Sequence, residues 1–213
     1  LLAAISATLV FAQEAAGTAV CIHPSGILLT CAHCVAENAE ELDLSARHWL
    51  LFSSGRVVEA RCIAFDARRD LAMLRIVAAS TPSPGSPNLF PYIEFASAEP
   101  QTGAQLLCIG HPGSEDLEAA VSGVATGYDV LHVSHGAWRG YAAGQDVEDN
   151  EEIGALMHDC WTYWGHSGAP LVETKTGGLV GLHSSWDEGT GMRRGVGYGA
   201  LRGFWEREGR GSE

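Results

Sequence analysis

Short apolar runs broken by turn formers constrain this chain more than any other feature. In its first part such runs occupy residues 17–23, 27–31, 48–52, 57–65 and 71–77. Each is rich in Val, Ile, Leu and aromatic side chains, and Gly, Pro, Ser or Asn clusters mark most of the gaps, which is the signature of strands joined by turns. His23-Pro24-Ser25-Gly26 separates the first two runs as the turn of a β-hairpin. The same pattern resumes at 104–110, 119–126, 130–134, 153–157, 171–173, 178–184 and 196–201. The turns draw on 26 glycines in 213 residues, well above the usual ~7 %. No long helical period and no internal repeat competes with this reading, so the expected class is all-β, a sandwich or barrel. Residues 38–44 read as a short surface helix and 201–208 as a closing helix. The apolar start reads as a first strand over 5–13, with the remnant of a signal peptide as the other reading. With no initiating Met, the chain looks like an excised piece.

Residues 79–91 carry four prolines and three serines. Such a stretch reads as a linker, giving an N-terminal half at 1–78, a linker at 79–92 and a C-terminal half at 93–213. The net charge is −13, with 13 Lys and Arg against 26 Asp and Glu. No basic stripe marks a nucleic-acid surface. No apolar run approaches the ~20 residues that span a bilayer. The acidic segment 145–152 reads as a solvated loop.

Gly165-His166-Ser167-Gly168-Ala169-Pro170 sets a serine among small residues. Glycines let the backbone approach a substrate carbonyl and let successive N–H groups converge on one point. A serine hydroxyl attacks a carbonyl only with a positioned base, without which the hexapeptide is an ordinary loop. Two upstream segments supply partners. Thr30-Cys31-Ala32-His33-Cys34 ends the hairpin, and Asp70 opens the run Leu71-Ala72-Met73-Leu74. His, Asp and Ser in that chain order make an acyl-transfer set. His33 takes the Ser167 proton, Asp70 holds the imidazole tautomer, and the N–H groups of Gly165 and Ser167 receive the oxyanion.

Other chemistries fit less well. A lipase-type nucleophile elbow needs Ser, then acid, then His, but the one histidine after Ser167 is His183, ahead of Asp187. Cys31-Ala32-His33-Cys34 is a C-x-x-C motif, yet the strand-rich surroundings lack the βαβ context of a redox motif. No second such motif completes a zinc site. His132 and His135 form a lone pair in a strand-like run. No metal and no cofactor is expected.

These motifs resemble those of the chymotrypsin-like (trypsin-like) serine peptidases, especially the HtrA-type and fungal intracellular branch. Thr30 to Cys34 is similar to the family's Thr-Ala-Ala-His-Cys. Asp70 to Leu74 is similar to its Asp-Leu-Ala-Leu-Leu, and Gly165 to Leu171 to its Gly-Asp-Ser-Gly-Gly-Pro-Leu. Leu179-Val180-Gly181-Leu182-His183 and Gly195-Val196-Gly197-Tyr198-Gly199 are similar to the strands that follow the nucleophile. The motifs stand 37 and then 97 residues apart, and the likeness runs from Gly17 to Leu201.

The resemblance implies two six-stranded antiparallel barrels with His33, Asp70 and Ser167 in the cleft between them. It implies a serine endopeptidase acting on a peptide or protein substrate. A fold of this kind that only binds peptides is the alternative. His166 stands where secreted trypsins keep the Asp that pairs with a newly cut N-terminus, so activation of that kind is not expected. Ala169 replaces a family glycine. The family's disulfide partners are missing, so the six cysteines read as mostly free thiols and an intracellular location, with a Cys21–Cys31 pair left open. The resemblance places the S1 pocket at Trp161, Thr162, His183, Ser184 and Ser185. Trp161 replaces the Asp of trypsins. Thr162 and His183 match the carboxylate-binding pair of glutamyl endopeptidases, so an acidic preference and a narrow apolar pocket both remain open.

Overall fold

The computed structural model describes residues 1–12, 17–80 and 89–209. Two closed antiparallel barrels of six strands each make up the fold. The first holds β1 (Thr8–Phe11), β2 (Thr18–His23), β3 (Ile27–Thr30), β4 (His48–Phe52), β5 (Val57–Asp66) and β6 (Leu71–Ala79), in the order β1-β2-β3-β6-β5-β4. The second holds β7 (Gln105–Gly110), β8 (His132–Tyr141), β9 (Leu156–His158), β10 (Pro170–Glu173), β11 (Leu179–Trp186) and β12 (Arg193–Val196), in the order β10-β11-β12-β9-β8-β7. Helix α1 (Leu2–Ala7) precedes the first barrel, and α2 (Tyr198–Glu208) follows the second.

Period-two alternation explains how the barrels meet. On β7, Leu106 and Cys108 point into the second barrel with Trp138, Leu156 and Val180. The alternate residues Leu107 and Ile109 join a core that runs on into the first barrel, with Leu28, Leu50 and Phe52. Successive strand side chains face opposite ways, so a strand apolar on both faces serves as a wall shared by two cores. Phe204 and Leu201 of α2 close that shared core.

Several expectations are corrected. The first strand does not cover 5–13. Residues 2–7 are helical and β1 begins at Thr8, because an Ala- and Leu-rich run is a strong helix former; Gln13 lies outside the described residues, as do 81–88 of the proline-rich stretch. Residues 38–44 form turns, not a helix. Asn38 Oδ1 accepts the N–H groups of Glu40 and Glu41, and Asp43 Oδ1 that of Ser45, so side chains take donors that a helix would need. Residues 119–126 are turns closed by a bridge between Glu115 and Ala125; Val121 and Val124 are exposed and pair with no strand. The strand expected at 196–201 ends at Val196, and the helix begins at Tyr198 rather than 201. The run at 130–134 catches only the start of β8. Cys21 and Cys31 do not pair: their thiols donate to the carbonyls of His23 and His183.

Candidate active site

His33 lies on a 3-10 turn, Ala32–Cys34, that leaves β3 at the rim of the first barrel. Asp70 lies at the end of the β5–β6 turn, at φ +51°. A non-glycine residue at positive φ is uncommon, and here Asp70 N–H donates to Ala67 O at 3.0 Å. The Asp70 carboxylate is buried and both its oxygens lie near His33 Nδ1, at 2.9 and 3.0 Å. Oδ1 also accepts the His33 backbone N–H at 3.2 Å. A ring nitrogen facing a carboxylate carries the proton, which leaves Nε2 as the basic nitrogen. Burial disfavours the imidazolium, but the hydrogen bond and charge of Asp70 outweigh it and raise the His33 pKa above its ordinary value.

Ser167 arrives from the second barrel, on the turn before β10. Gly165 and Gly168 take φ of +95° and +82°. A Cβ at Gly168 would collide with the Thr18 carbonyl, and one at Gly165 with that of His111. Among the described residues, neither Gly165 N–H nor Ser167 N–H has an acceptor. Their carbonyls are tied down instead. Thr18 Oγ1 donates to Gly165 O at 2.9 Å, and Thr18 N–H donates to Ser167 O at 2.8 Å. Thr30 Oγ1 fixes Thr18 in turn through its carbonyl, at 2.8 Å. Sequence reasoning missed Thr18, since an ordinary strand threonine carries no signal of a contact made 147 residues away, and it met Thr30 only as the first residue of the His33 motif.

His166 is fully buried. Its ring packs on Gly110, where a Cβ would clash with it, and edge-on to Trp161 at 5.5 Å. Nδ1 lies 3.0 Å from Tyr163 O. Burial lowers its pKa to about 4, so the ring is neutral at pH 7. The Ser167 hydroxyl donates to Ser184 O at 3.2 Å and makes no hydrogen bond to His33 among the described residues. Both side chains nevertheless line one groove.

That groove is also lined by His183, Ser184 and Ser185. Trp164 and Trp186 flank it, edge to face with ring centroids 4.7 Å apart. Trp161 and Thr162 line a neighbouring depression instead, with Arg193. Thr162 Oγ1 accepts Arg193 Nε at 3.1 Å, and the Trp161 ring packs edge-on to Tyr128 and His132. His183 Nδ1 lies 3.1 Å from His158 Nε2, and burial depresses the pKa of both rings. Ligand atoms of Cys31, His33 and Asp70 lie within 4.8 Å of one another. However, burial raises the Cys31 thiol well above its ordinary pKa, and metals bind the thiolate.

The profile of the trypsin-like peptidase domain matches residues 17–182. The chain belongs to the trypsin-like peptidases. The match spans β2 through the first half of β11 and includes His33, Asp70 and Ser167. As a trypsin-like peptidase it is a serine endopeptidase by family. Comparison with curated protein sequences finds no match. Similar solved structures include Rv3671c from M. tuberculosis in an inactive form, at 17 % identity and a TM-score of 0.66, over 98 % of this chain and 89 % of that one. A serine endoprotease from Yersinia pestis is similar at 20 % identity and a TM-score of 0.66, over 98 % of this chain and 66 % of that one. At such identities these likenesses speak for the fold. No helix among the described residues is long and apolar enough to cross a membrane.

Proposed function

We propose that this trypsin-like peptidase cleaves peptide bonds through a His33–Asp70–Ser167 triad and an acyl-enzyme, without insertion of a newly cut N-terminus. The observation that carries the reading is the two-point contact of His33 Nδ1 with the Asp70 carboxylate, in the groove that also holds Ser167. Rotation of the Ser167 hydroxyl from Ser184 O toward His33 Nε2 starts the reaction. The proton moves to Nε2 as Oγ attacks the substrate carbonyl. The N–H groups of Gly165 and Ser167 receive the oxyanion, and Nε2 then protonates the leaving amine. Water, deprotonated by the same nitrogen, releases the acid. His183, Ser184 and Ser185 line the pocket beside the scissile bond.

Trypsin-type activation would need an acid at position 166 to receive a cationic terminus. The buried neutral His166 cannot serve, and Thr18 does the ordering from the first barrel. Thr18→Val keeps the shape and deletes the hydroxyl that holds Gly165 O. It is expected to lower kcat roughly tenfold or more, short of the ~10²–10³ lost with an oxyanion donor itself, at nearly constant KM in steady-state assays. Six unpaired thiols fit a reducing, intracellular compartment.

A fluorophosphonate probe tests the main reading. The wild-type chain should label covalently, and Ser167→Ala should not. Labelling that survives in Ser167→Ala, or a wild type that never labels, points instead to a fold that binds peptides without cutting them.

A further inference from the structure

The β5–β6 turn carries Asp70, and it is also where the second barrel reaches back to the first. The acidic segment 145–152 is not a freely solvated loop. Arg69 Nε lies 2.5 Å from Glu148 Oε2, and Arg69 Nη1 lies 2.7 Å from Asp66 Oδ2. The Arg69 backbone N–H donates to Asp66 Oδ1 at 3.0 Å. The Arg68 carbonyl accepts Asn150 N–H at 2.8 Å. Asn150 is 1 % exposed and folds its own loop: Oδ1 accepts Ala155 N–H at 2.8 Å, and Nδ2 donates to Val147 O at 3.2 Å. Arg207 of α2 adds a contact to Asp66 Oδ2 at 3.8 Å.

The ion pairs are not equivalent. Arg68 and its partners Asp146 and Asp149 are more than half exposed, and such pairs contribute little. The Arg69 side chain is 23 % exposed, between Asp66 at 20 % and Glu148 at 35 %, where screening by salt is weaker. The residue next to it is Asp70, held at φ +51°. A backbone in a sparsely populated region persists only when its surroundings over-determine it.

We propose that Arg69 and Glu148 are positioning residues, whose pair spans the two barrels and holds the β5–β6 turn so that the Asp70 carboxylate meets His33 Nδ1. The inference rests on the reading of His33 and Asp70 as base and orienting acid. When the pair is lost, the turn relaxes, the two-point contact at Nδ1 weakens, and the imidazolium loses part of its stabilisation. Among the described residues, Cys31, Cys34 and His183 are the titratable groups that interact electrostatically with His33 or Asp70, while Tyr163 and Glu188 line the same groove as His33. Burial keeps both thiols protonated and the His183 ring neutral. None of these groups is altered in the variants below, so a change in His33 reports the Asp70 contact.

The test uses the full chain with Arg69→Ala, Arg69→Lys and Glu148→Gln. The His33 pKa is read by NMR on ring-labelled histidine, assigned with His33→Gln, and kcat and KM are measured on a peptide. In Glu148→Gln and Arg69→Ala the His33 pKa should fall toward its ordinary value. In both, kcat should fall by about tenfold at constant KM, less than the ~10²-fold a 1 Å misplacement near the chemistry can cost. Arg69→Lys should recover part of both. Unchanged His33 pKa and kcat in folded variants overturn the proposal, as does a loss of thermal stability with the His33 pKa unmoved. If Arg69→Ala does not fold, Glu148→Gln decides alone. Failure of the peptidase reading is separable: the His33 pKa then still responds to the variants, in a wild type that neither cleaves peptides nor labels with fluorophosphonate.

Discussion

Ser167→Ala and His33→Ala should each lower kcat by roughly 10⁶, and the double variant by hardly more, because nucleophile and base act as one unit. Neither change should disturb the fold. The His33 side chain is 44 % exposed, and Ser167 gives up one hydrogen bond, to Ser184 O. The loss should therefore lie in kcat, with substrate binding retained. What remains should still exceed the uncatalysed rate by ~10³–10⁴, because the oxyanion N–H groups and the binding groove survive both changes. Single-turnover measurement of acyl-enzyme formation checks this. A Ser167→Ala chain within tenfold of wild type would remove Ser167 as the nucleophile.

Asp70→Asn should cost about 10⁴ in kcat, through the tautomer of His33 rather than through structure. Asparagine is among the few residues that tolerate positive φ, so the turn at +51° survives the exchange. The amide can donate its N–H to His33 Nδ1. That nitrogen then becomes the acceptor, the ring proton moves to Nε2, and Nε2 can no longer take the Ser167 proton. The His33 pKa should also drop, since the carboxylate that raises it is gone. The bell-shaped kcat/KM profile of wild type should lose its acid limb at the raised His33 value. Activity of Asp70→Asn within tenfold of wild type would show that Asp70 does not set the tautomer.

Most of the fold was legible because both barrels are written in period-two apolar runs. His48–Phe52 lies where its turns predict it, and β2, β3, β5, β6 and β7 fall within a residue or two of expectation. The misreadings have local causes. Val121 and Val124 imitate a strand but have no partner face to bury, and the alanines of residues 2–7 favour helix in a run that otherwise reads as strand. The His33, Asp70 and Ser167 segments stand out because each keeps a family-like motif around the residue proposed to act. Thr18, Arg69 and Glu148 stand out in nothing: their role lies in contacts across 147 and 79 residues, which no local pattern encodes. Trp161 and Thr162 were placed in the pocket by resemblance, and Arg193, whose guanidinium holds Thr162, gave no sign in the sequence of doing so.

The division of labour between the barrels also sets a timetable. His33 and Asp70 both belong to the first barrel and are synthesised early, but Glu148, proposed to hold the Asp70 turn, follows with the second barrel. Ser167 emerges nearly a hundred residues after Asp70, and its turn is fastened by Thr18, which by then is already built into β2. On the proposed reading, a chain that stops short of the second barrel has neither the nucleophile nor the pair that holds the Asp70 turn, and the capacity to cut is complete only once the second barrel has closed against the first.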